Sequence, residues 1–330
     1  LTKTLSGNRK GSLLEAIDKT LTGAGARLLA ERLTTPLTNV TEISSRLNLV
    51  SSFVQSSKLR EDIRISLRKC PDIERSLSRL SLGRGGPRDL STLRAGLESA
   101  GEIVILLGEH ISSSIGLGEL VHLRDQLGDH HKIVENLELA LNDSLPIHTR
   151  DGGFIAPGYS EILDEQIQLR DASRKTIANL QQRFADQTEI STLKIRHNNV
   201  LGYFIEVTAA QAEKLMEDGK ANLAEQHGLL HRQTMSNAVR FTNVELSELE
   251  EQISKAAERA LVIELDIYAK IVNEILSCSN FIIMTARALA SIDVATGLAD
   301  LAITNNYCCP KVQDNKDFNI INYFSFKCFN

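Results

Sequence analysis

The sequence contains few aromatic residues and few prolines. Among its 330 residues there is no tryptophan, only 5% are aromatic, and only six are proline. The low aromatic content argues against a carbohydrate-binding β-sandwich or an aromatic-rich receptor domain. The scarcity of proline and the abundance of Leu, Ala, Glu, Arg and Ser favour helices. The length predicts roughly two domains and is ample for a buried core.

Signals for disulfides, zinc and membranes are also missing. The five cysteines form no C-x-x-C pair and no evenly spaced framework, so they are expected to be reduced thiols. There is no secretory signal and no run of about 18 apolar residues, which predicts a cytoplasmic protein without a membrane span. The chain begins without methionine, and we expect it to be a fragment of a longer protein.

The motifs of common enzymes are absent as well. No G-x-x-x-x-G-K-[ST] phosphate loop occurs, and the glycines of residues 7–12 have the wrong spacing for one. No G-x-S-x-G nucleophile elbow is present. His227 and His231 could share one helix face, but a solvated pair is the simpler interpretation. The residues therefore predict no catalytic centre and no metal site.

The net charge of −5 argues against a protein that coats nucleic acid by bulk charge. Basic residues outnumber acidic ones in the first hundred positions, and the reverse holds in the remainder. A basic surface of that kind is usually only a solvated one. Any binding of an acidic partner must therefore come from individually placed side chains.

Apolar residues recur at helical spacing through most of the chain. Helices broken by glycine-containing turns are predicted up to about residue 141, and a long helix is predicted over 161–184. From residue 244 to about 292 there is neither glycine nor proline, which predicts one helix about 65–70 Å long at 1.5 Å per residue. Because a stripe of that length must be buried, the helix over 161–184 is its natural antiparallel partner.

Between these two helices the periodicity changes to the alternation that is typical of strands. Apolar and polar residues alternate around 193–195 and 203–207, and the intervening 197–199 predict a turn, so 192–208 should form a hairpin. Residues 209–226 are predicted to be helical, and 231–243 favour a strand. The whole pattern indicates a helical body, a two-helix arm and a small mixed tip.

Hydrogen-bond donors are concentrated in that predicted tip. They are Lys194, Arg196, His197, Asn198, Asn199, His231, Arg232, Gln233, Thr234, Ser236, Asn237 and Arg240. Such side chains suit contacts to sugar and phosphate groups, which position a protein on nucleic acid without reading its sequence. Basic and acidic residues are balanced over 191–245, however, so a plain solvated surface is the simpler interpretation of the residues alone.

Several segments, taken in order, resemble the MutS-type mismatch repair proteins. The resemblance covers about residues 5–318. It is carried by residues 11–20, 25–29, 72–75, 86–90, 150–153, 158–159 with 163–165, 193–195, 202–207, and 232–234 with 237–238 and 240–241. It implies a mainly α fold with a helical core, a long antiparallel two-helix lever and a small α+β clamp inserted at the tip of the lever.

The same resemblance implies the domain boundaries. They are a helical core at 1–160, an outgoing lever helix at 161–189, the clamp at 190–243, a returning lever helix and core at 244–306, and a tail at 307–330. Near residues 317–320 the likeness to the family ends, so we expect the tail to be truncated or frame-shifted.

In that family the clamp holds the backbone of duplex DNA. The positions carried over are Arg232, Gln233, Thr234, Asn237 and Arg240, with Lys194, Arg196 and Asn198 as further candidates. The family often has lysine where this chain has Ser236, which removes one expected phosphate contact. The implied partners are double-stranded DNA, a second copy in a homodimer and other mismatch repair proteins, with no membrane.

Three domains that proteins of this family contain are absent from this sequence: the mismatch-reading domain, the connector and the ATPase. We therefore expect no enzyme activity and no cofactor in this chain, since ATP and magnesium belong to the missing ATPase. Two alternatives remain open, a non-catalytic helical scaffold that binds only protein and a degenerate gene product without DNA binding. DNA binding predicts that Arg232, Asn237 and Arg240 share one exposed face, whereas a scaffold predicts that they are scattered or paired internally.

Overall fold

The computed structural model describes residues 1–112, 118–198, 200–216, 223–315 and 319. Within them the chain is mainly helical and contains a four-stranded antiparallel sheet. It divides into two compact units, Leu1–Glu138 with Glu274–Asn330, and Leu139–Asn273. The predicted fold class, helical with a small α+β part, is confirmed.

The elements follow one another in a simple order. The helices are α1 (Leu13–Ile17), α2 (Gly23–Thr34), α3 (Val40–Gln55), α4 (Ser57–Lys69), α5 (Ile73–Ser81), α6 (Pro87–Ser112), α7 (Gly118–Leu127), α8 (His131–Ala140), α9 (Glu161–Gln187), α10 (Ala209–Met216), α11 (Leu223–Gln226), α12 (Val244–Ser277) and α13 (Ser279–Thr304), and the strands are β1 (Lys194–Asn198), β2 (Gly202–Thr208), β3 (Leu230–Thr234) and β4 (Ala238–Thr242).

The first unit is organised around α13, which packs against α2, α3 and α7. This helix is long and apolar enough to cross a membrane by length and composition. However, 67% of its most apolar stretch is buried inside the protein, and Ile282, Ile292 and Ala299 of this helix are fully buried. That pattern is typical of the central helix of a packed core, whose apolar side chains are buried on all sides of the helix.

Asp293 ties α13 to the segment that precedes α2. Its buried carboxylate accepts hydrogen bonds from the N–H groups of Leu21 (2.9 Å) and Thr22 (2.8 Å) and from the Thr22 hydroxyl (2.7 Å). The same hydroxyl accepts the N–H of Gly25 and so caps α2. A Cβ at Gly25 would lie 2.2 Å from Oδ2 of Asp293, so this approach requires glycine.

Arg27 joins α2 to the start of α5. Its Nη1 donates to Oδ2 of Asp72 at 2.6 Å and its Nη2 to Oδ1 at 3.0 Å, while Glu74 accepts a third bond at 3.2 Å. Asp72 is also the amino-terminal cap of α5, through the N–H of Arg75. Two of the segments that carry the family resemblance are therefore in direct contact.

The second unit contains α9, the sheet and most of α12. Because α9 ends shortly before β1 and α12 begins directly after β4, the two helices run in opposite directions from the sheet. The buried carboxylate of Glu264 in α12 accepts the N–H groups of Gly153 (2.7 Å), Phe154 (3.1 Å) and Ile155 (3.2 Å), which shortly precede α9. These contacts agree with the predicted antiparallel pair.

The prediction of a single helix from 244 to about 292 is wrong. The structure has two helices, separated at Cys278, where φ is −100° and ψ is 10°. The hydroxyl of Ser277 donates to the carbonyl oxygen of Glu274 at 2.6 Å, and such a bond competes with the backbone ladder. The sequence has no glycine or proline at this point to indicate a break. The first of the two helices, with 34 residues, is about 51 Å long.

The strands have the order β1-β2-β4-β3, and every neighbouring pair is antiparallel. The predicted hairpin over 192–208 corresponds to β1 and β2, and the segment 231–243 supplies most of β3 and β4. His197 and Asn198 belong to β1 rather than to the turn predicted at 197–199, and Val200 and Leu201 lie in a turn. Of the helix predicted over 209–226, residues 217–222 lie outside the described part of the chain, as does Asn199.

Candidate nucleic-acid interface

The strand register sorts the side chains of the sheet onto two faces. One face packs against α9, α10 and α12 and includes Ile205, Val207, Val239 and Phe241. The opposite face, here called the outer face, is formed by side chains from all four strands. Its members that bear on binding are Lys194, Arg196 and Asn198 of β1, Phe204 and Glu206 of β2, Arg240 of β4 and Gln233 of β3.

Glu206 lies at the centre of the outer face and contacts two arginines. Its Oε1 lies 3.3 Å from Nε of Arg196, and its Oε2 lies 3.1 Å from Nε of Arg240. In the register, Glu206 is directly opposite Arg240 on one side and Lys194 on the other. One carboxylate therefore bridges two guanidinium groups.

Arg240 is fixed by three partners. Besides Glu206, its Nη1 donates to Oε1 of Gln233 at 3.0 Å, and its guanidinium carbon lies 4.4 Å above the centre of the Phe204 ring. Phe204 is buried, so the arginine covers an aromatic ring that would otherwise meet water. Only 18% of the Arg240 side chain is exposed, which makes it a rigid donor.

Arg196 and Lys194 are much more accessible. The Arg196 side chain is 56% exposed, and Lys194 is exposed and forms no ion pair within the described part of the chain. Both are long cationic side chains on an edge strand, at alternate positions of β1. Lys194 can reach a phosphate in solvent without breaking an ion pair, whereas Arg196 already contacts Glu206.

Asn198 has a structural role. Its Oδ1 accepts the N–H groups of Val200 (2.9 Å) and Leu201 (2.7 Å), so the side chain closes the turn between β1 and β2. The turn is completed by Gly202, whose φ is +68°, and by Glu250, which accepts the N–H of Tyr203 at 2.6 Å.

The other predicted residues do not lie together on the outer face. Arg232 is the extra residue of a β-bulge between His231 and Gln233, and it lines an open depression of about 470 Å³ together with residues of α12. Thr234 ends β3, and its hydroxyl contacts the ring of His231 at 2.9 Å. Asn237 is exposed in the turn between β3 and β4. Arg232, Asn237 and Arg240 therefore do not share one exposed face.

The sequence-based prediction did not include Glu206 and Phe204, which contact the arginines of the outer face. Both occur in an alternating strand segment, where an isolated acidic or aromatic residue carries no sign of its partners. Their importance follows from the register, which places Glu206 opposite Arg240, and that pairing depends on strands 34 positions apart in the chain. Among the described residues no group of three or more His, Cys, Asp or Glu side chains could hold a metal ion.

Comparison with known proteins points to one family. The sequence model of MutS domain III matches residues 1–299. Two proteins named DNA mismatch repair protein MutS, from Rhodopseudomonas palustris (strain BisB5) and Rhizobium meliloti (strain 1021), are each 47% identical to the chain, over 321 and 322 residues. The matched part is 97% of this chain but 34% of each relative, so the chain spans about a third of the length of these curated relatives.

Proposed function

Because the chain belongs to the MutS family through its domain III, we propose that its clamp, residues 190–243, binds the backbone of duplex DNA without reading its sequence. The observation that carries this proposal is the outer face, where Lys194, Arg196 and Arg240 are arranged on one side of a rigid sheet. Arginine forks and lysine ammonium groups are the usual donors to phosphate oxygens.

Placed charges, rather than bulk charge, supply the attraction in this proposal. The clamp has six basic and five acidic residues, so the local surplus on the outer face must act at short range. Each phosphate that is neutralised releases counterions, which makes the affinity fall with rising salt concentration. Arg232 and Asn237 would then contact DNA only where the duplex extends past the edge of the outer face.

The domain organisation is part of the same proposal. We propose the boundaries 1–160, 161–189, 190–243, 244–306 and 307–330 for core, outgoing lever helix, clamp, returning lever helix with core, and tail. The two compact units support a division of this kind, since the clamp and both lever helices fall largely within Leu139–Asn273. Residues 316–318 and 320–330 of the tail lie outside the described residues.

For the whole protein, we propose a cytoplasmic homodimer that acts with other mismatch repair proteins on mismatched DNA. This chain would supply clamping alone, without hydrolysing ATP, because it has no Walker A loop and its matched part is domain III. ATP and magnesium would then act outside this chain.

A second candidate, a scaffold that binds only protein, is favoured by one observation. Both arginines of the outer face are already paired with Glu206, and Arg232 lies elsewhere. Internal pairing of this kind is what a clamp without DNA binding would show, so the two functions need a direct test.

The test is fluorescence anisotropy with a 30-base-pair duplex across a salt series, using the wild-type chain, Arg196→Ala and Arg68→Ala. Arg196→Ala should weaken binding about fivefold at low salt and reduce the slope of log K against log salt by about one. Arg68 is exposed on α4 in the other compact unit, so its substitution removes the same charge and should change little.

A wild-type chain that binds no duplex at low salt, while circular dichroism shows it to be helical, would contradict DNA binding and leave the scaffold. Equal losses for Arg196→Ala and Arg68→Ala would show that the outer face is not the contact.

A further inference from the structure

Glu206 occupies the place between two arginines that a phosphate group would be expected to take. Its two oxygens each serve one guanidinium group, at 3.3 Å for Arg196 and 3.1 Å for Arg240. Carboxylate and phosphate oxygens are alternative partners for the same arginine donors. We propose that Glu206 competes with DNA phosphate for Arg196 and Arg240 and thereby limits the affinity of the clamp, an inference that rests on the proposed function.

The environment of the bridge makes the competition effective. The side chains of Glu206 and Arg240 are only 17% and 18% exposed, so their attraction is less screened than that of an ion pair in open solvent. An incoming phosphate must either displace the carboxylate or approach it closely, and like charges at short range repel each other.

The two arginines are not equally free to exchange partners. Arg240 is held over Phe204 and bonded to Gln233, so it stays in place. Arg196 has Glu206 as its single ion-pair partner among the described residues and is 56% exposed, so it can turn towards a phosphate. When it does, Glu206 keeps Arg240 as its partner, and its charge continues to oppose the phosphate.

The chain offers a matched control in Glu213. It lies on α10 in the same clamp, is exposed, and makes no ion pair with any residue that the structure describes. Glu206→Gln and Glu213→Gln remove the same charge from the same clamp, but only the first releases arginines. Their comparison therefore separates competition for the arginines from a general change in net charge.

The experiment measures anisotropy of the 30-base-pair duplex with both variants. Glu206→Gln should tighten binding about fivefold at low salt and steepen the slope of log K against log salt by about one, because one more cation becomes available to phosphate. Glu213→Gln should change the affinity less than twofold. In a chain that also carries Arg196→Ala, the gain from Glu206→Gln should be smaller, because only Arg240 remains to be released.

A purely structural role for Glu206 would not produce this result. Loss of a bridge that only positions the arginines would weaken binding and leave no gain for Arg196→Ala to reduce. Thermal unfolding monitors whether Glu206→Gln is folded. Glu206→Asp serves as a second variant because it keeps the charge while its shorter side chain cannot reach both arginines, and it should give a smaller gain.

The outcomes distinguish this inference from the proposed function. If the wild-type chain binds DNA and neither Glu206 variant binds more tightly, or if Glu213→Gln tightens binding equally, the competition is overturned and the clamp stands. If neither the wild type nor a Glu206 variant binds, both proposals fail. Binding by Glu206→Gln alone would support the competition and contradict DNA binding by the unaltered chain.

Discussion

At the scale of single residues, buried carboxylates hold loop backbone against helices in both compact units. Asp293 accepts the N–H groups of Leu21 and Thr22, and Glu264 accepts three consecutive N–H groups from Gly153 to Ile155. Loops that approach a core leave N–H groups without backbone partners, and such groups need another acceptor. A carboxylate can accept several of them because it has two oxygens.

Asp293 predicts a pH dependence that is specific to one residue. Its burial raises the pKa of the carboxyl above the ordinary 3.8, although hydrogen bonds from Thr22 and Leu21 oppose the rise. At pH values between 3.8, the pKa in the unfolded chain, and the raised pKa of the folded chain, Asp293 holds a proton only in the folded chain. The stability contributed by Asp293 is therefore complete below pH 3.8 and declines as the pH rises through the raised pKa.

Asp293→Asn removes this titration. It should also destabilise the chain by about 1–3 kcal/mol at neutral pH, since an amide N–H₂ replaces one acceptor oxygen. Urea unfolding of wild type and variant between pH 3.5 and 7 measures both effects. The stability difference between them should shrink as the pH rises from 3.8 and then level off. A difference that is the same at every pH would contradict the raised pKa.

Residue types predicted the donors of the candidate interface but not their roles. Lys194, Arg196, Gln233 and Arg240 were expected to bind phosphate, and the structure brings them to one face. Asn198 was expected there too, yet its side-chain oxygen closes a turn. Sequence alone cannot make this distinction, because the role depends on which N–H groups lie within reach after the strands have paired.

At the scale of elements, the hairpin of β1 and β2 depends on a close approach between Gly202 and α12. Gly202 has a φ of +68°, and a Cβ there would lie 1.8 Å from Oε1 of Glu250. The same carboxylate accepts the N–H of Tyr203. The turn thus needs glycine both for its backbone conformation and for the space that the carboxylate fills.

Gly202→Ala should therefore destabilise the clamp by more than backbone strain, which is about 1–2 kcal/mol for a side chain at positive φ. Gly228→Ala is a matched control in the same clamp, since Gly228 has a φ of +64° but a Cβ there would meet nothing within 4 Å beyond its chain neighbours. Hydrogen exchange of the β2 amides reports the local stability. Equal acceleration by both substitutions would show that the contact with Glu250 is unimportant.

Periodicity predicted the elements better than their ends. The strands, the helix over α9 and the antiparallel course of α9 and α12 follow from apolar spacing, because burial of one face fixes that spacing. The break at Cys278 did not follow from the sequence, because the apolar spacing continues across it and no glycine or proline lies there.

At the scale of the whole molecule, the two compact units have different roles in this account. The unit built around α13 is held together by an apolar core and by bonds such as Arg27 to Asp72. The other unit carries the sheet, and its outer face is the proposed DNA contact. Two of the motifs that carry the family resemblance, at 25–29 and 72–75, contact each other through Arg27 and Asp72, so they help to hold this unit together.

The central claim is that the outer face touches the DNA backbone. Modification of arginines by phenylglyoxal, with and without a 30-base-pair duplex and read residue by residue by mass spectrometry, tests it most directly. DNA should protect Arg196 strongly and Arg240 weakly, since Arg240 is already largely buried, and it should leave Arg68 unchanged. Protection of Arg68 with Arg196 still fully reactive would contradict the claim.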